Sequence, residues 1–147
     1  MKIRKSQNEA GFTLMEMIVA IAVSMIVLAV GTPSFLSWMP TIRLTSAARQ
    51  VATDLQVARM KAISQNANNT VTFNTTSGTY TFTLGSDSRD IGQLYPGITI
   101  ASASNPVFSP RGTASAGVQI SLNNGSAQKY ICVKAVGRVN IQDSTCT

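Results

Sequence analysis

The sequence predicts an α+β fold: a long N-terminal helix, half membrane-spanning and half amphipathic, packed on a mostly antiparallel β head. Three observations predict it. An apolar run from Phe12 to Phe35 carries a single charge, Glu16. Apolar residues then recur at helical spacing as far as Ala62, and beyond Asn69 the period falls to two, with turn residues between short runs rich in Val, Ile, Thr and aromatics. The 147 residues suit one small domain with an appended element, and a domain of that size buries only a modest core.

The apolar run comes first. About 20 helical residues span the roughly 30 Å of a bilayer's hydrocarbon, so Phe12 to Phe35 is long enough to cross one. Lys2, Arg4 and Lys5 precede it and stay cytoplasmic under the positive-inside rule, which sends the C-terminal portion to the oxidising side. There the only two cysteines, Cys132 and Cys146, read as one disulfide. It closes a loop of about 15 residues, worth about 3 kcal/mol in the chain-entropy account. A cleaved secretory signal is one reading of the run, with Ala29-Val30-Gly31 as its small-residue cleavage site. A plain single-pass anchor is another. Both leave Glu16 unexplained, because a charge at a membrane helix centre costs about 2.5 to 3.5 kcal/mol and asks for a partner.

Past the run, Ala48, Val51, Leu55, Ala58 and Ala62 are spaced three or four apart, with Arg49, Gln50, Asp54, Arg59 and Lys61 between them. This spacing lays one apolar stripe along a helix, expected to pack on the sheet of the same molecule. The small residues Ala47, Ala48, Ala58 and Ala62 also suit close approach by neighbouring helices. Asn66-Ala67-Asn68-Asn69 is expected to end the helix, since asparagine tolerates the left-handed conformation.

Alternation from Thr70 to Thr75, a turn at Thr76-Ser77-Gly78 and alternation from Tyr80 to Leu84 predict a β-hairpin with its aromatics on one face. Ile98 to Ala101, Val118 to Leu122, Lys129 to Ala135 and Val139 to Ile141 are further strands. Turns fall at Pro96-Gly97, Pro110-Arg111-Gly112 and Asn123-Asn124-Gly125. The stretch from Gly85 to Leu94 carries no clear pattern.

Enzymatic and metal chemistry finds few groups here. The chain has no His, and Asp54, Asp87, Asp90 and Asp143 are dispersed. Gly85 to Asp90 reads as a polar turn and not a calcium loop, because calcium takes six to eight oxygens and this stretch offers two carboxylates beside Arg89. The sequence therefore predicts no enzyme, no cofactor and no metal. A net charge of +6 permits nucleic acid or an anionic membrane as a partner without selecting either.

Gly11-Phe12-Thr13-Leu14-Met15-Glu16, set between a basic leader and an apolar run, resembles the processing motif of type IV pilins and pseudopilins. The resemblance implies that a prepilin peptidase cuts between Gly11 and Phe12, that Phe12 becomes an N-methylated terminus, and that Glu16 pairs with a terminal amine during assembly. It places Pro33 where helices of that family are commonly kinked. The implied organisation is a leader at 1–11, a transmembrane helix at 12–35, its amphipathic continuation at 36–66 and a head at 70–147.

Phe108-Ser109-Pro110-Arg111-Gly112-Thr113 and Gly137-Arg138-Val139 resemble the F-x-P-x-G and terminal G-R segments of the FimT/FimU/GspH subgroup. That implies a minor subunit, anchored in the inner membrane with its head in the periplasm, which primes or caps a type IV pilus. Its implied partners are other major and minor pilins, the prepilin peptidase and the inner-membrane assembly platform. A pseudopilin of type II secretion is one alternative. A DNA-binding minor pilin for DNA uptake is the other, since FimT-type subunits use a terminal G-R-x-R segment. Here the segment is Gly137-Arg138-Val139-Asn140, so Asn140 replaces the second arginine. Arg138, Lys134, Lys129 and Arg111 are the candidate phosphate contacts. Strand alternation sends Lys129 and Lys134 to opposite faces, against a single patch.

Overall fold

Thr13 opens the first helix. Its hydroxyl accepts a hydrogen bond from the Glu16 amide at 3.2 Å, so T-x-x-E forms the start of a capping box, and α1 runs from Leu14 to Ser64. The structure, a computed structural model, describes residues 11–85, 87–115 and 117–146, with the side chains of residues 31–36 also outside the described set. At the other end of α1, Asn66 adopts φ +49. Its amide bonds back to the Ile63 carbonyl, and that of Ala67 to the Ala62 carbonyl, the double closure of a Schellman motif. Asparagine thus ends the helix by the conformation expected of it.

The chain divides into two units, Met1–Trp38 and Met39–Thr147. In the first, every large apolar side chain from Leu14 to Val30 is at least 50% exposed, so nothing in this unit covers them. Among the described residues no helix is long and apolar enough to cross a membrane. The expected 12–35 span runs into residues 31–36, and both its completion and the expected kink at Pro33 fall on side chains outside the described set.

In the second unit the predicted stripe is the inward face of α1. Ala48, Val51, Leu55, Ala58 and Ala62 are buried, together with Leu44, Ala47 and Ala52. The four small residues that suited neighbouring helices are therefore spent inside the molecule's own head, where short side chains let strands approach the helix closely. Two four-stranded antiparallel sheets complete the core. One has the order β3-β2-β1-β5, built from Asn69–Asn74 (β1), Thr79–Phe82 (β2), Ser88–Asp90 (β3) and Val107–Phe108 (β5). The other has the order β4-β6-β7-β8, built from Thr99–Ala103, Val118–Asn123, Gln128–Val133 and Val139–Gln142. Val71, Tyr80, Phe108, Ile120, Leu122 and Ile131 join the helix stripe in one buried cluster.

Three short elements depart from the expected plan. Where a polar turn was expected, Ser88–Asp90 pairs with β2, and a single helical turn, α2 (Ile91–Leu94), follows. The Asp90 carboxylate caps that turn, accepting from the Gln93 amide at 3.0 Å, and Ile91 is its buried anchor. β5 is only two residues long, too short to show alternation. The strand expected to reach Ala135 stops at Val133, because Lys134 begins a tight turn.

Two buried polar groups tie helix to sheet. Asn69 is fully buried; its amide donates to the Ala58 carbonyl at 3.0 Å and its oxygen accepts from the Leu84 amide at 3.0 Å. Asn69→Ala removes the acceptor of the Leu84 backbone amide, so urea unfolding of Met39–Thr147 should show a loss of about 2 kcal/mol. Tyr80 sits between Phe73 and Phe82, with centroids at 5.2 and 5.7 Å, and its hydroxyl donates to buried Asp54 at 2.5 Å. Gln50 donates to the other Asp54 oxygen at 3.1 Å.

Burial, and then the Asp54 hydrogen bond, push the Tyr80 phenol well above its ordinary range. The unfolded chain ionises this phenol near pH 10 while the fold holds it neutral. The contribution is therefore complete below about pH 10 and declines as pH rises beyond it. Urea midpoints across that alkaline range should fall with pH in the wild type and more gently in Tyr80→Phe.

Candidate functional site

Two places bring together residues that the sequence singles out. The first is the start of α1. Among the described residues a Cβ added to Gly11 would meet nothing within 4 Å, so packing there does not require glycine. Phe12 is 77% exposed. Thr13, which the sequence reading passed over, holds the Glu16 amide, although the T-x-x-E spacing was there to be read.

The second place lies where two turns meet the C-terminal part of α1. In the first turn the Gly112 amide donates to the Ser109 carbonyl at 2.9 Å, and the Ser109 amide to the Thr113 carbonyl at 2.9 Å. In the second, the Gly137 amide donates to the Lys134 carbonyl at 2.8 Å, and the Lys134 amide to the Arg138 carbonyl at 2.9 Å. Arg59 clamps both: its Nε donates to the Gly112 carbonyl at 2.7 Å and its Nη2 to the Val136 carbonyl at 3.3 Å. Gly112 and Gly137 have φ +77 and +80. A Cβ on Gly137 would overlap the Gly112 carbonyl oxygen and lie 2.6 Å from Arg59 Nε; one on Gly112 would lie 2.9 Å from Ile63 Cδ1. The F-x-P-x-G and G-R segments, 25 residues apart between their glycines, are thus one structural joint.

Arg59 is the residue sequence reasoning missed. It stands in the chain as one polar residue among several between stripe positions, and its role depends on two turns that no local pattern brings to it. Beside the joint, a shallow groove of about 550 Å³ is lined by Gln56, Arg59, Met60 and Ile63 of α1 and by Gly137 through Asn140.

The four basic candidates do not converge. Arg138 lines that groove and donates through Nε to Asn140 Oδ1 at 3.0 Å. Arg111 opens onto a different depression with Asn66, Ser109, Pro110 and Thr113. Lys134 lines a third, next to Cys132 and Cys146. Lys129 is ion-paired with Asp143. The disulfide joins Cys132 to Cys146 across Cα atoms 5.6 Å apart, and the Cys146 amide donates to Gln119 Oε1 at 2.9 Å, pinning the tail over β6 and β7.

A family model for the type II transport protein GspH matches residues 47–137, from the first buried alanine of the helix stripe to the glycine of the second turn. The chain belongs to the GspH family. The match takes in the inward face of α1 from Ala47, Arg59 and both glycine turns of this GspH-family chain, and stops short of β8 and Cys146. A prokaryotic N-terminal methylation motif matches residues 6–32. The type IV minor pilin FimU of Pseudomonas aeruginosa (strain PAO1), crystallised in two space groups, shares the fold. The two structures have TM-scores of 0.55 and 0.54 at 15% and 17% identity, covering 67% of this chain and 92% and 87% of theirs. No curated protein matches the chain.

Proposed function

We propose that this GspH-family chain is a minor pilin: cut after Gly11, methylated at Phe12, anchored in the inner membrane by the apolar part of α1, and used to prime or cap a type IV pilus. One observation carries the reading. The methylation motif leads into a helix whose apolar side chains from Leu14 to Val30 are uncovered, while the amphipathic part of the same helix is buried in a head with a core of its own. Lipid before assembly and neighbouring subunits after it supply the missing cover. Glu16, near the N-terminus of α1, then faces the terminal amine of an adjacent subunit, a pairing strong in low dielectric.

The freedom of Gly11 from packing against the described residues supports a glycine kept for recognition by the peptidase. The role is structural and needs no catalytic group. A type II secretion pseudopilus is the alternative setting, favoured by the description of the matching family. The DNA-binding alternative draws less support, because the basic residues open onto separate depressions and Lys129 is already paired. Mass spectrometry of the mature N-terminus tests the processing: N-methylated Phe12 is expected, and a terminus at Thr32, as a cleaved secretory signal would leave, overturns the filament role.

A further inference from the structure

β8 is an edge strand, paired with β7 and, among the described residues, with no strand on its other side. In an antiparallel pair, hydrogen-bonded and non-hydrogen-bonded residue pairs alternate. The Lys134 amide donates to the Arg138 carbonyl, which marks Arg138 as facing β7; Asn140, opposite Cys132, and Gln142, opposite Tyr130, follow in the same phase. Val139 and Ile141 therefore direct their amides and carbonyls away from β7, toward the open edge. Among the described residues neither makes a backbone hydrogen bond on that side.

The groove beside the joint includes this edge. Val139 and Asn140 form one wall, and the α1 side chains form the other, with Met60 60% and Ile63 48% exposed. Two guanidinium groups, of Arg59 and Arg138, line it, and no carboxylate does. Open backbone groups, apolar side chains and unopposed positive charge together describe the complement of an extended peptide bearing acids.

We propose that this groove is a strand-addition site, where an extended acidic segment of a different filament subunit pairs with β8 and sets a carboxylate against Arg138 and Arg59. The proposal rests on the filament reading and deepens it by giving the chemistry of the partner. A second copy of this chain is a poor occupant because its head acids are engaged. Asp54 accepts from Tyr80 and Gln50, Asp87 pairs with Lys61, Asp143 with Lys129, and Asp90 caps α2.

The test places photoreactive benzoylphenylalanine at Met60 of the full chain, in cells that assemble filaments, with the same group at Val19 in the apolar helix as a control for incorporation. A cross-link from position 60 to another subunit is expected, mapped to a segment containing Asp or Glu. Ile141→Pro removes one outward amide and leaves the β7 ladder intact, so it should cut the cross-link yield about tenfold, whereas Ile141→Ala keeps it. Arg138→Glu should cut it about tenfold as well, through like-charge repulsion. Cross-links at Val19 with none at Met60 overturn the groove and leave the filament reading standing; silence at both positions removes both. A product with nucleic acid or a second copy, or one indifferent to Ile141→Pro and Arg138→Glu, also overturns strand addition.

Discussion

Gly137→Ala is expected to destabilise the head by about 3–5 kcal/mol, a large share of the roughly 5–15 kcal/mol that holds a domain together. Two costs add. A side chain at φ +80 takes on about 1–2 kcal/mol of left-handed strain. The new methyl also overlaps the Gly112 carbonyl oxygen and crowds Arg59 Nε, and forcing a methyl into a packed site costs about 1–3 kcal/mol before any loss of the Arg59 hydrogen bonds. Gly97→Ala separates the two: its φ is +89, but a Cβ there meets nothing within 4 Å, so it carries the conformational cost alone. Urea unfolding of Met39–Thr147 should therefore rank Gly137→Ala well below Gly97→Ala. Equal midpoints would mean that the two turns do not press together at Arg59 as described.

Glu16→Ala should leave the protein processed and membrane-bound and yet nearly absent from filaments. The helix start survives the change, because Thr13 holds the backbone amide of residue 16 and not its carboxylate. In the proposed pairing only the partner of the incoming amine is lost. Leaving one member of a buried ion pair alone costs about 3–5 kcal/mol, which corresponds to a fall in incorporation of about a hundredfold or more. The quantity to measure is the chain present in sheared filaments relative to the membrane pool, with cleavage followed in parallel. Normal incorporation of Glu16→Ala would remove the pairing from the account. Glu16→Gln, which keeps the shape and loses the charge, should behave like the alanine variant if charge is what matters.

The helix stripe was legible in the sequence because burial of one helix face imposes a period that survives in any tertiary setting. Ala48, Val51, Leu55, Ala58 and Ala62 are all buried. The first hairpin was legible for the same reason, with Phe73 paired to Tyr80 and Val71 to Phe82 across β1 and β2. β3 and β5 escaped notice because strands of three and two residues are too short to show a period. Asp54 stands in the sequence as one of several polar residues between stripe positions, and only the approach of Tyr80 from another element makes it a buried one.

By itself the sequence determined the order of the parts that the structure shows: an apolar helix start carrying one acid, an amphipathic continuation and a β head closed by a disulfide. These follow from composition, period and local motif, which are properties of neighbouring residues. Tertiary structure alone decided that Gly112 and Gly137 form one joint under Arg59, that the small residues of α1 serve its own head, and that Arg138, Lys134 and Arg111 line separate depressions. Such outcomes depend on contacts between residues tens of positions apart, where the cost of a close approach and the direction of an open strand edge are set by folding and not by adjacency in the chain.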